Sequence, residues 1–150
     1  MSSPVHRVDV SASMNEAAQS MWEHDIGVVP VVDAEGRIEG IVTDRDVAMT
    51  AYLQGRALRD IPVREVMSSN VQSVRSDEAV VAAAYKMSQH QMRRLPVLDG
   101  EGALVGMLSL NDLAGASSDS KDSGVTEHDL ADTLRAVCMP RAGTEPLAAS

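Results

Sequence analysis

The sequence predicts a mixed α/β (α+β) fold: two copies of one strand–helix–strand–strand–helix unit, followed by a short C-terminal helix. Three observations carry this. Residues 1–48 and 67–114 align without a gap at an offset of 66, and 17 of the 48 aligned pairs are identical. Each copy passes from helical apolar spacing to two short apolar runs separated by turn residues. Both copies end in Gly-x-x-(Thr/Ser)-x-x-Asp, as Gly40, Thr43 and Asp46 and again as Gly106, Ser109 and Asp112. Self-similarity on this scale implies two like half-folds, each placing one hydroxyl and one carboxylate at the same point.

Taken in order, short strands are expected at 5–8 and 71–74. A helix follows in each copy. Met14, Ala17, Ala18 and Met21 lie at i, i+3, i+4 and i+7, and Val80, Ala83, Ala84 and Met87 repeat the spacing, which makes one apolar stripe. Ser13 with Glu16 forms a capping box, and Asp77 is the expected cap of the second helix. Residues 28–32 and 94–98 are rich in β-branched residues and Leu without clean alternation, as in strands covered on both faces. Asp33-Ala34-Glu35-Gly36 and Asp99-Gly100-Glu101-Gly102 are turns leading to strands at 38–43 and 104–109. A second helix then opens at Asp44 or Leu110, and in the first copy it stops before Gly55.

These readings divide the chain into a first repeat at 1–53, a linker at 54–66 and a second repeat at 67–114. A flexible linker at 115–124, a helix at 125–139 and a disordered tail at 140–150 follow. Within the first linker, Pro62 suits the start of a short helix at 63–67. In the last helix, Val125, Leu130, Leu134, Val137 and Cys138 are expected to form the apolar face, with Cys138 a small buried hydrophobe.

Composition narrows the function. The 150 residues carry a formal charge of −9, which disfavours DNA or RNA as partner, since such binding rests on Lys and Arg. Trp22, Tyr52 and Tyr85 are the only aromatics, so the core must come from Val, Ile, Leu, Met and Ala. Units of about 45 residues are marginal alone and should pack on each other or on a second chain. The single cysteine, Cys138, forbids an internal disulfide and suits a reducing compartment. No apolar run approaches a membrane span and no signal-peptide pattern is present, so a soluble cytoplasmic protein is expected.

The repeated motif at 40–46 and 106–112 has the chemistry of an anion-and-sugar site. At a strand-to-helix junction a hydroxyl can donate to phosphate, and helix N-terminal N–H groups favour negative charge. The Asp one turn later faces the same side, where its two oxygens suit a vicinal diol. The preceding apolar strand offers a wall for a base. The competing reading is structural: Thr43 and Ser109 as N-caps, with Asp46 and Asp112 as their reciprocal partners.

At these residues the chain resembles a tandem pair of cystathionine-β-synthase-type (CBS) domains, a Bateman module. The resemblance lies in residues 21–33 with the 40–46 motif, and in residues 90–99 with the 106–112 motif. The tail from Glu127 to Pro140 also resembles actinobacterial CBS-pair proteins of the hypoxic-response type. The family implies β-α-β-β-α units about a pseudo-twofold axis, with clefts that bind AMP, ADP, ATP, S-adenosylmethionine or NADH. It places Thr43 and Ser109 at the hydroxyl position and Asp46 and Asp112 at the ribose carboxylate. Arg93 and Arg94, before Leu95-Pro96, fall where basic residues touch phosphate, and Met67 to Val71 would border the base. Homodimers are common in the family, which here implies a second copy, and the output is expected to pass to a separate effector protein or to a change of assembly.

The two junctions are unequal, because Arg93 and Arg94 become Gly27 and Val28 in the first copy. The second is therefore expected to take a phosphorylated ligand, and the first a less charged one or none. Arg45 is an alternative charge there. For metals, His6, His24, His90, His128 and Cys138 are available, but no C-x-x-C or H-x-x-x-H spacing occurs; His128 and Cys138 are the weak candidates. His24 and His90 lie near helix ends, where a dipole-facing role is commoner. No activated nucleophile or phosphate-loop lysine is present. The expectation is a non-enzyme with no obligatory cofactor, sensing an adenosine nucleotide. The alternatives are a stress-response interaction module that binds no nucleotide, and a zinc sensor.

Overall fold

The computed structural model describes residues 5–119 and 124–139. The first repeat forms β1 (Val8–Asp9), α1 (Met14–His24), β2 (Val28–Val32), β3 (Ile38–Thr43) and α2 (Asp44–Gln54). The second forms β4 (Val74–Arg75), α3 (Val80–His90), β5 (Arg94–Leu98), β6 (Leu104–Ser109) and α4 (Leu110–Asp119), and α5 (Glu127–Cys138) follows. The sheets have the orders β1-β2-β3 and β4-β5-β6. In each, the first strand runs parallel to the second, with Val8 opposite Val31 and Val74 opposite Val97. No helix among the described residues is long and apolar enough to cross a membrane.

Contacts divide the chain into two compact units. One is built from Ser2–Ser76 and Pro96–Gly106, the other mainly from Asp77–Leu95 and Met107–Ser150. In the first, β2 and β3 pair antiparallel, and a bulge between Val31 and Val32 sets Val31 opposite Gly40 and Val32 opposite Ile38. Asp33 and Asp99 close equivalent turns: each carboxylate accepts two backbone N–H bonds at 2.9 Å, from Glu35 and Arg37 and from Glu101 and Ala103. Gly36 and Gly102 follow with φ of +80° and +86°, a conformation that favours glycine. Gly40 is needed for another reason. A Cβ there would stand 2.6 Å from the Met67 sulfur and 3.0 Å from its Cβ, because the backbone of Ser68 bonds both ways with Ile41.

The core is aliphatic, as the composition requires. Met14, Ala17, Met21, Val29, Val31 and Val42 pack with Val8, and Trp22, Tyr52 and Tyr85 all stand outside. The linker is part of this core. Ile61 and Val63 are fully buried, and their backbones bond to Met14 and Ala12 at 2.7 and 2.9 Å, so Ile61 supplies an acceptor to the first turn of α1. The expected helix at 63–67 is a single 3-10 turn, Val63–Glu65.

Four other expectations shift. The first strands were read at 5–8 and 71–74 but lie at Val8–Asp9 and Val74–Arg75, where they meet β2 and β5. Pairing, which apolar runs do not encode, decides their place. Asp77 does not cap α3: the N-cap is Ala79, whose side chain cannot accept. α4 continues to Asp119, into the stretch read as flexible, and packs on α5, a tertiary gain that outweighs the weak propensity of Gly115 and the serines. On α5 the inward face is Leu130, Thr133 and Val137, while Leu134 is 45% exposed and Cys138 is exposed, so neither belongs to the apolar face. Thr133 turns inward because its hydroxyl bonds the Asp129 carbonyl at 2.7 Å and lies 3.5 Å from that of Ala84. The tail at 140–150 falls outside the described residues.

Truncating Ile61 leaves a cavity beneath the start of α1. Ile61→Ala is expected to lower stability by about 2–5 kcal/mol in urea denaturation, as a core residue does and a linker residue does not.

Candidate functional site

Each repeat closes its last strand onto its last helix in the same way. At the first junction, Thr43 N–H and Thr43 Oγ1 donate to Asp46 Oδ2 at 2.8 and 2.9 Å, and Asp46 N–H donates to Thr43 Oγ1 at 3.2 Å. At the second, Ser109 N–H and Oγ donate to Asp112 Oδ2 at 2.7 and 2.8 Å, and Asp112 N–H returns to Ser109 Oγ at 3.2 Å. One more bond ties each junction to the loop before the middle strand. Asp44 N–H donates to the Gly27 carbonyl and Leu110 N–H to the Arg93 carbonyl, both at 3.0 Å.

The box geometry alone does not mark a ligand site. α5 opens with the same three bonds, between Thr126 and Asp129 at 2.9, 2.7 and 3.1 Å. What is particular to the junctions is their place at a strand end, their duplication in register and the residue held beside them. At the second junction the backbone bond from Leu110 holds the Arg93 backbone at the start of α4, one residue past Ser109. Among the described residues, no hydrogen bond or ion pair engages the guanidinium of Arg93 or Arg94. The hydroxyl of Ser109 has one proton, held by Asp112, and can turn it to an incoming acceptor.

Arg93, Arg94, Ser109 and Asp112 thus fall in one compact unit, while Thr43, Asp46, Met67 and Val71 fall in the other. Met67 lies against Gly40 of β3, and Val71 is half-buried. The metal candidates do not converge. His128 and Cys138 lie ten residues apart on α5, about 15 Å along a helix, and His128 pairs instead with Asp132 at 3.3 Å. His24 Nδ1 meets the Ser20 carbonyl at 2.8 Å, the helix-end role expected for it, and its ring stacks on His6 with centroids 3.5 Å apart. No group of three or more His, Cys, Asp or Glu among the described residues could hold a metal ion.

Sequence reasoning passed over Asp44. Its carboxylate accepts the Arg45 N–H at 2.7 Å and lies 3.1 Å from where a Cβ on Gly27 would stand. The signal was present in the repeat alignment, where Asp44 faces Leu110 and Gly27 faces Arg93.

Two copies of this junction on two β-α-β-β-α units match the CBS domain over residues 1–51 and 63–119. The chain belongs to the CBS-domain family. It is 38% identical over 124 residues to the CBS domain-containing protein YhcV of Bacillus subtilis, covering 83% of this chain and 86% of that one. It is 29% identical over 142 residues to hypoxic response protein 1 of Mycobacterium tuberculosis, covering 95% and 93%. The crystal structure of Hypoxic Response Protein I with two coordinated zinc ions superposes with a TM-score of 0.70 at 30% identity, over 77% of this chain and 92% of that one. The CBS domain pair of protein MJ0100, solved with 5′-methylthioadenosine and S-adenosylmethionine, gives 0.68 at 29% identity, over 77% and 90%.

At Asp112, burial raises the carboxyl pKa, but the lowering contributions, led by the N–H and hydroxyl of Ser109, together outweigh it and hold the group below the usual 3.8. A depressed carboxylate stabilises the fold above its unfolded pKa, and the gain is lost as pH falls through the lower folded value. Asp112→Asn is therefore expected to be less stable than the wild type near neutrality. The gap should narrow from about pH 5 to below pH 3.8 in denaturation series.

Proposed function

We propose that this CBS pair is a non-catalytic regulatory module that binds an adenosine ligand at its strand-to-helix junctions. The observation that carries the reading is the second junction, where the Ser109–Asp112 pair opens a helix whose first N–H bonds the Arg93 carbonyl, and where, among the described residues, no hydrogen bond or ion pair engages the guanidinium of Arg93 or Arg94. The carboxylate suits a ribose diol, and the hydroxyl and guanidiniums suit a phosphate. The likeness to a CBS pair that holds 5′-methylthioadenosine and S-adenosylmethionine supports an adenosine base. Binding acts on output only through a difference in affinity between two states of the module, passed to an effector protein.

We assign the change of state to a dimer of this chain. In the second repeat, α5 lies along α3: Gln91 Nε2 donates to the Ala136 carbonyl at 3.1 Å, and Ala84 is buried. The repeat-equivalent residues are Asp25, just past α1, and Ala18 on it, and among the described residues the first repeat has no counterpart of α5. Trp22 is 87% exposed on α1, and Tyr52 and Leu53 are 80% and 72% exposed on α2. Such apolar residues suit a twofold contact in which the same face meets itself.

Two experiments follow. In a thermal-shift panel of AMP, ADP, ATP, S-adenosylmethionine, NADH and zinc, an adenosine ligand should raise the melting midpoint with concentration. Asp112→Ala should abolish the shift given by AMP while costing only about 1 kcal/mol in stability. No shift at millimolar nucleotide would favour the nucleotide-free interaction module, and a shift with zinc alone the metal sensor. In sedimentation, the wild type should run as a dimer and Trp22→Glu as a monomer; a monomeric wild type at high concentration rejects the dimer.

A further inference from the structure

The two junctions share a backbone frame and differ in what fills it. Asp44 and Leu110 are the first residues of α2 and α4, and each N–H bonds a loop carbonyl at 3.0 Å. Asp44 then folds back. Oδ1 accepts the Arg45 N–H at 2.7 Å, and Oδ2 lies against Gly27, 3.1 Å from where a side chain would begin. The carboxylate thus occupies in cis what a helix N-terminus offers a phosphate: an exposed backbone N–H and the positive end of the dipole. At the second junction Leu110 has no group to claim the Asn111 N–H, and Arg93 stands where Gly27 is. In the 43–46 segment, Asp44 and Asp46 outweigh Arg45 by one negative charge. At the second junction Arg93 and Arg94 outweigh Asp112 by one positive charge.

We propose that Asp44 sets ligand charge at the first junction: it turns away phosphorylated adenosines and leaves the site to a nucleoside that is neutral or cationic at its 5′ end, such as a thioether or sulfonium. The inference rests on the adenosine reading above. The Thr43–Asp46 pair is intact, so the ribose-binding part of the first junction is kept while its anion seat is filled. Arg45 does not reverse this. Its side chain is exposed and makes no hydrogen bond or ion pair among the described residues, whereas the Asp44 carboxylate is held on the helix end. A unit charge about 6 Å from a phosphate, in a medium between protein and water, changes affinity roughly tenfold.

The test is calorimetry with AMP and with 5′-methylthioadenosine on four proteins: wild type, Asp112→Ala, and Asp112→Ala combined with Asp44→Asn or with Asp44→Leu. Asp112→Ala silences the second junction. Asn removes the charge at the same size, and Leu copies the second repeat. The expected result is AMP binding to the wild type at one site per chain, lost in Asp112→Ala and regained at least about tenfold in both double variants. Methylthioadenosine affinity at the first junction should change little. Two equal AMP sites in the wild type, or AMP affinity unmoved in both double variants while methylthioadenosine still binds, would overturn the role of Asp44 and leave the adenosine reading standing. Binding of neither ligand to the wild type would overturn both.

Discussion

Each repeat depends on one knot of hydrogen bonds where its last strand becomes its last helix. A hydroxyl, a carboxylate one turn later and a loop carbonyl satisfy the first N–H groups of the helix. At the same stroke they tie together three elements: the third strand, the second helix and the loop before the middle strand. Without such partners the helix would begin with unmet donors on a half-buried surface. The knot makes the helix start rigid and leaves short polar side chains at its surface, the arrangement a small anionic or hydroxylated ligand can use. Its geometry is also found at α5, so the knot is first of all a helix cap.

The repeats diverge around this common frame. In the first, Gly27 and Asp44 remove a cation and add an anion; in the second, Arg93 and Leu110 do the reverse. The helical faces diverge too. α5 lies along α3, and the second-repeat positions equivalent to Trp22, Tyr52 and Leu53 are Ser88, Ser118 and Asp119. The first repeat keeps its large apolar residues at the surface. One duplicated unit thus carries two junctions of opposite charge and, in its first copy, large apolar side chains left exposed on its helices.

Much of this was legible in the sequence because duplication reports twice. The hairpins and the paired capping boxes recur at the same offset, so each copy supports the other. The Ser13–Glu16 box was readable for the same local reason: its partners are three residues apart. What escaped depends on distant partners. The two-residue strands β1 and β4 are placed by pairing. Ile61 and Val63 are core residues because their backbones meet Ala12 and Met14. The inward face of α5 is chosen by the bonds of Thr133 and Gln91, so Leu134 and Cys138 turn out although helical spacing admits them. Of the site, Ser109, Asp112, Thr43 and Asp46 stood out as a motif. Asp44 did not, because only its contact with Gly27 and the Arg45 N–H reveals what it occupies.

The most direct measurement is an amide chemical-shift titration of isotope-labelled protein with AMP. The account predicts that the largest changes fall on Arg93, Arg94 and the turn from Ser109 to Asp112, and saturate at one ligand per chain. Changes confined to α5, or an unaltered second junction at saturating ligand, would contradict the assignment of that junction as the nucleotide site.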